Sequence, residues 1–205
     1  MARKPDAGRR EELEAAVADY LLAQGMADVS LRAVAKGLGI STYPLIYHFG
    51  SKDGLVTAAL ATIEERQQGM ITDWMHEQPE RSLGEIIRRY WDWATREEML
   101  PYHRLYFEIY GLALRYPGRF DEFMARGGAR PWTKFLREAV RNAGMADAEM
   151  IVSLMIATVA GVLLVFLTDG DREQATRTIE AMLADVERHI APDGESPVSI
   201  VSGPV

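Results

Sequence analysis

Residues 29–56 read VSLRAVAKGLGISTYPLIYHFGSKDGLV, and the rest of the chain is best read outward from them. Ser30 precedes Leu31-Arg32-Ala33-Val34-Ala35-Lys36 as a side-chain hydroxyl precedes a short helix that it caps, and Gly37-Leu38-Gly39-Ile40 interrupts that helix. Ser41 stands in the same relation to a second short helix running through Tyr47-His48-Phe49, and Ser51 to a longer one from Lys52 onward. Pro44 falls near the third position of its helix, where its missing N–H has no intrahelical partner to lose. Leu31, Val34, Ala35 and Leu38 share one face, and Ile40, Leu45 and Phe49 close a small core against it. Gly39 supplies a left-handed turn residue, and Ala35 is small where two helices crossing at a steep angle leave little room. The spacing is that of a helix-turn-helix. An αα-corner with no nucleic-acid role has the same spacing, and the pattern alone leaves both open.

Upstream, Leu13, Ala16, Val17, Tyr20 and Leu21 recur at helical spacing between Arg9 and Gln24, and Gly25 stops the run. Downstream, helical periodicity continues over Lys52–Glu77, Ser82–Glu98, Tyr102–Arg115, Phe120–Ala125, Pro131–Ala143, Ala146–Thr168 and Glu173–Ile190. Breaks are expected at Pro79, Pro101, Pro117-Gly118, Gly127-Gly128, Gly144 and Gly170. No run alternates with period two, so the fold class is all-α. A length of 205 residues, 48% of them hydrophobic and 26% charged, fits one large or two small globular domains. Residues 1–55 are expected to form one unit around the short helix pair, 56–191 a larger helical domain, and 192–205, with three prolines and no period, a disordered tail.

The absence of cysteine excludes disulfides, thiolate catalysis and Cys-based metal sites. The basic first residues lead into no apolar stretch, so no signal peptide is read and the chain is expected to be cytoplasmic. Ile151–Thr168 is apolar enough to attract attention as a span. Its length is marginal and its flanks, Asp147, Glu149, Asp169 and Asp171, are acidic, which favours a helix buried on all sides over a membrane anchor.

The segment 29–56 resembles the DNA-binding segment of the TetR (tetracycline-repressor-like) family of bacterial regulators. The shared features are a Ser/Thr-capped helix with an internal Ala, a Gly-Ile turn, a short helix ending Tyr47-His48-Phe49, and Ser51-Lys52 followed by Leu55. The resemblance implies an N-terminal three-helix DNA-binding domain followed by a larger ligand-binding and dimerisation domain. It also implies a homodimeric regulator, most often a repressor, that binds a pseudo-palindromic operator in double-stranded DNA and is released by a small, largely apolar effector. Two positions depart from the family pattern: Ile46 replaces a usual Tyr, putting one phosphate contact in doubt, and Tyr43 replaces a usual small residue, which points to an unusual operator preference.

In a helix-turn-helix, side chains near the start of the second helix reach base edges in the major groove. Here these are Thr42, Tyr43 and Pro44, with Arg32 able to donate bidentately to guanine. Ser30, Ser41, Tyr47, His48 and Lys52 are hydroxyls, an imidazole and a cation suited to the phosphate backbone. Lys52 opposes the dipole of the helix it opens, which suggests a partner outside the fold. Arg3, Lys4, Arg9 and Arg10 are positioned either as a phosphate-tracking arm or as an ordinary solvated terminus. The overall net charge is −7, yet residues 1–55 hold seven basic and seven acidic residues; the whole excess of acid lies beyond them.

Large aromatic and sulfur side chains crowd the middle of the chain. From them and a few polar neighbours, Trp91, His103, Tyr106, Tyr110, Trp132, Met155 and Thr158 are the expected effector-binding residues. Ser153, Ala157 and Gly161 recur every four residues as a stripe of small side chains, and Ile179, Met182, Leu183 and Val186 share a face of the last helix; together they are the expected dimer interface. No cofactor and no metal site are expected. The four histidines are scattered, Asp73-Trp-Met-His76 occurs once where a di-metal bundle needs paired motifs, and no phosphate-binding loop or nucleophile elbow is present, so the chain does not read as an enzyme. The competing reading is a helical small-molecule-binding protein without DNA function.

Overall fold

The computed structural model describes residues 7–76, 82–126, 130–142 and 147–190, and every regular element among them is helical. Three helices build the N-terminal head: α1 (Ala7–Gln24), α2 (Leu31–Gly37) and α3 (Thr42–Phe49). The long α4 (Lys52–His76) leads into a body made of α5 (Leu83–Ala94), α6 (Leu100–Arg115), α7 (Asp121–Arg126), α8 (Arg130–Asn142), α9 (Ala148–Asp169) and α10 (Arg172–Ile190). Arg3, Lys4, Gly127-Gly128, Gly144 and the tail from Pro192 lie outside the described residues, as does the side chain of Trp132.

Two of the three caps read from the sequence are formed, and that of Ser41 is not. Ser30 Oγ accepts from the Ala33 amide at 3.1 Å, and Ser51 Oγ from that of Gly54 at 3.1 Å. Gly39 turns the chain between α2 and α3 at φ +65°, a conformation that costs a side chain but not a glycine. Several helix ends shift by a residue or two, and two departures stand out. The helix expected to reach Glu98 stops at Ala94, because Thr95 Oγ1 donates to the Trp91 carbonyl at 2.8 Å and the next residues turn. Pro101, expected as a break, instead sits in the first turn of α6, where the missing N–H would be unpaired anyway.

Two apolar clusters form the core. In the head, Leu13, Val17 and Leu21 of α1 meet Val34, Leu45 and Leu55, and this cluster continues along α4 to Ile63 and takes in Leu105 and Ile109 of α6. In the body, Trp74, Ile87, Trp91, Met155, Ile179 and Leu183 pack together. The boundary at residues 55 and 56 therefore falls inside a continuous helix whose head-side packing runs on for two more turns.

Helix α9 corrects an expectation. Val152, Met155, Val159 and Leu163 are buried, but Met150, Leu154, Leu164 and Val165 are 57%, 59%, 46% and 56% exposed, so the helix is covered on one side only within the chain. With a mean hydropathy of 2.7 it is, among the described residues, the one helix long and apolar enough to cross a membrane.

Candidate nucleic-acid interface and ligand cavity

Leu45 anchors α3 with no exposed surface, and this burial fixes which side chains α3 turns outward. Tyr43 is 71% exposed, Ile46 49% and Tyr47 46%, and the rings of Tyr43 and Tyr47 stack one helical turn apart with centroids at 6.1 Å and planes at 20°. Thr42 and Pro44 are half-buried at the start of the same helix. Ser41 precedes it without using its hydroxyl as a cap, whereas the Ser30 oxygen already accepts a backbone bond. Arg32 and Lys52 are exposed and have no ion pair among the described residues. His48 is half-buried with its Nδ1 enclosed; Tyr47 and Phe49 lie against its ring. The nine expected contact residues thus lie along α2, α3 and the start of α4.

A sequence signal was overlooked here: no acidic residue occurs between Asp28 and Asp53, while Arg32, Lys36 and Lys52 do. A neutral head is therefore locally positive where the helix-turn-helix is. Of the four residues that could serve as an arm, Arg9 and Arg10 lie in the first turn of α1. Arg9 pairs with Glu12 at 2.9 Å and Arg10 with Glu14 at 2.7 Å, so these charges are partly neutralised by their own helix.

The expected ligand residues separate into two groups. His103 and Tyr106 line a cavity of about 80 Å³ between α4, α5, α6 and α9, with Ile71, Tyr90, Phe107 and Leu163 among its walls. The Tyr106 hydroxyl donates to that of Tyr110, a more exposed residue one turn further on. His103 is 6% exposed, and burial holds its imidazole down at a pKa of about 4, against a smaller opposing effect of the Ala94 backbone. Burial raises the Tyr90 phenol to about 12. Trp91, Met155 and Thr158 do not line this cavity. Trp91 spends its indole N–H on Thr176 Oγ1 at 2.9 Å and packs edge-on against Phe166, holding α5 to α10, while Met155 has no exposed surface. Aromatic content could not separate these roles, because a tryptophan that packs two helices has the same sequence signature as one that lines a cavity.

The expected interface residues separate likewise. Ser153, Ala157 and Gly161 are exposed on α9, on the side that carries Leu154, Leu164 and Val165. A Cβ at Gly161 would touch nothing in the chain. Ile179 and Leu183, by contrast, are 1% and 0% exposed inside the body core, so neither is available to a partner; they pack α10 onto its own chain. Met182 and Val186 are half-buried at the edge of that core.

One connection had no sequence signature. Both carboxylate oxygens of Glu108 on α6 lie 2.9 Å from the Met26 amide in the loop between α1 and α2. Gly25 beside it has φ +71°, the left-handed conformation that favours glycine, and a Cβ there would also press on the Glu108 carboxylate at 2.7 Å. Arg119, just before α7, also reaches back to Asp53 at the start of α4, at 2.9 Å.

Residues 13–59 match the sequence profile of the family described as bacterial regulatory proteins, tetR family. No curated protein matches the chain. Solved structures do. A TetR-family transcriptional regulator from Rhodococcus sp. is 20% identical with a TM-score of 0.68, over 90% of this chain and 100% of that one. A transcriptional regulator from Rhodococcus sp. Rha1 is 18% identical with a TM-score of 0.72, over 87% and 96%. The multidrug binding protein EbrR, in complex with imidazole, is 22% identical with a TM-score of 0.62, over 93% and 99%. The helix-turn-helix at residues 13–59 places the head of this chain in the tetR family of bacterial regulatory proteins, and the whole carries the fold of that family's regulators.

Proposed function

We propose that the protein is a ligand-responsive transcription regulator, acting as a repressor, that binds a pseudo-palindromic operator as a homodimer in the cytoplasm and is released by a small, largely apolar effector. The observation that carries this reading is the double attachment of α6. His103 and Tyr106 line the cavity, and within the next turn Glu108 holds the Met26 amide and Ile109 is buried in the head core. A ligand that alters the seating of α6 therefore acts directly on the placement of the head. Such coupling requires the ligand to bind one arrangement of α6 better than the other.

The DNA-reading assignments are those that side-chain chemistry and position in the helix-turn-helix suggest. Arg32, Thr42, Tyr43 and Pro44 face bases, and Ser30, Ser41, Tyr47, His48 and Lys52 face phosphates. The second subunit covers the open face of α9. Gly161 in mid-helix costs about 1 kcal/mol relative to alanine and satisfies no contact within its own chain, which favours close approach by another helix. Met150, Leu154, Leu164 and Val165 extend that face, and the half-buried Met182 and Val186 border it. A protein partner fits this face better than lipid, since Glu149 and Asp169 lie at its ends and α8 and α10 already hold the helix. EbrR is described as binding multiple drugs; an aromatic-walled cavity of the kind found here suits an apolar effector.

Genome-wide footprinting with purified protein, combined with light scattering, tests this. Protection of discrete palindromes by a dimer is the expected result. A monomer at micromolar concentration, or equal affinity for all sequences, overturns it; the latter outcome favours a helical ligand-binding protein without DNA function.

A further inference from the structure

Resting on the reading of α2 and α3 as the DNA-binding surface, we propose that α3 recognises thymine by its C5 methyl group, on an apolar face made by Tyr43 and Ile46. Tyr47 is the positioning residue that holds the Tyr43 ring for this contact. Positions 43, 46 and 47 share one side of the helix and all three are exposed, while Leu45 is buried in the head core.

The composition of α3 decides what this face can read. Thr42 to Phe49 include no arginine, lysine, asparagine or glutamine, so the helix has no side chain able to make the bidentate hydrogen bonds that identify guanine or adenine. Its polar groups are the hydroxyls of Thr42, Tyr43 and Tyr47 and the imidazole of His48, whose Nδ1 is enclosed. The outward face is otherwise aliphatic and aromatic, and in the major groove the thymine C5 methyl is the one apolar group that a base edge presents. Against a G·C pair the same surface would cover the guanine N7 and O6 and the cytosine amino group without replacing their hydrogen bonds to water, which is costly. The flanks suit a polyanion: Arg32 and Lys36 on α2 and Lys52 on α4 are exposed, and no acidic residue occurs between Asp28 and Asp53.

The Tyr43 ring is held from behind. It stacks on Tyr47 with centroids 6.1 Å apart, Tyr47 meets His48 edge-on at 5.0 Å, and His48 lies beside Phe49 at 6.4 Å. Phe49 packs on the head core, so a row of rings runs from that core to the most exposed aromatic side chain of the helix. A ring already supported on one face has less freedom to lose when it meets a base.

The purified full chain is used to select duplexes from a randomised library of the four natural bases, and the enriched duplex is resynthesised with uracil in place of each thymine in turn. Uracil keeps the hydrogen-bonding edges and the phosphates and lacks the methyl group. Fluorescence anisotropy at one salt concentration should show a loss of about fourfold for uracil at a contacted position of one half-site, and about fifteenfold when both half-sites carry it. At each such position either Tyr43→Ala or Ile46→Ala, with an unchanged circular-dichroism melting curve, should bring the affinities of the thymine and uracil duplexes together. Tyr43→Phe and Tyr47→Phe, which keep the rings, should preserve the thymine-to-uracil ratio, and Tyr47→Ala should lower it. A ratio untouched by Tyr47→Ala overturns the positioning role. Uracil duplexes that all bind as the enriched duplex does, or a ratio unchanged in both Tyr43→Ala and Ile46→Ala, overturn the methyl contact and leave the regulator reading standing. Enrichment of no sequence overturns the regulator reading together with it.

Discussion

Helices α3 and α9 both present apolar side chains to solvent, and the difference between their surroundings separates their two proposed partners. On α3 the exposed Tyr43, Ile46 and Tyr47 are interleaved with hydroxyls and neighbour Arg32 and Lys52, in a stretch without acid. Such a surface suits a polyanion whose bases carry methyl groups and whose backbone carries charge. On α9 the exposed Met150, Leu154, Leu164 and Val165 alternate with Ser153, Ala157 and Gly161 and are bounded by acids, a surface suited to another helix. Exposed apolar area does not by itself name a partner; the polar residues set among it do.

Breaking the α9 side of this comparison should have the largest effect. Leu154→Glu combined with Leu164→Glu alters only exposed positions, so the isolated chain should keep its helicity and fold. Light scattering should report a monomer, and operator affinity should fall by about 10²-fold or more, because two linked heads no longer bind together. Retention of the dimer would transfer the interface elsewhere.

The second test concerns the cavity that the two surfaces share through α6. The pKa of His103 is lowered from 6.5 to about 4 in the folded chain, so between these values the unfolded chain binds the extra proton. The resulting stability is fully present above pH 6.5 and declines as pH falls toward 4, by roughly 3 kcal/mol at most. Chemical denaturation at a series of pH values should show this slope flattened in His103→Gln.

On the α3 side the expected effects are smaller and differ in kind. Arg32→Ala or Thr42→Ala should cost about 1–3 kcal/mol at particular base pairs, whereas Lys52→Ala should weaken binding evenly over sequences and lower the salt slope by about one. Fluorescence anisotropy against operator variants at several salt concentrations distinguishes them; identical losses on operator and random DNA for all three would dissolve the division into base and phosphate contacts. Smallest in stability is the link between the regions. Glu108→Ala should lower unfolding free energy by about 1 kcal/mol and blunt the loss of operator affinity caused by a bound ligand.

The head was legible because its determinants are local. Caps at Ser30 and Ser51, the turn at Gly39 and the buried Val34, Ala35 and Leu45 all act within a few residues, and the same local order fixes where Thr42, Tyr43 and Lys52 stand. The body was legible as helices but not as a site. His103 and Trp91 were both expected at the ligand; only packing across more than 60 residues shows that Trp91 belongs to Thr176 on α10, while His103 faces a cavity closed by α4 and α9. Ile179 and Ala157 were both expected at an interface, and only the docking of α10 onto α5 and α9 buries the first and leaves the second outside.

The sequence by itself determined the helical fold class, the short helix pair with its tight turn, and the separation of a neutral head from an acidic body, since each depends on periodicity, capping or charge along the chain. Only the tertiary structure decided that His103 lines a cavity while Trp91 packs helices together, which face of α9 stays exposed, and that Glu108 ties the two regions together. These are contacts between residues far apart in sequence. Their geometry is set by how whole helices pack, which no local pattern encodes.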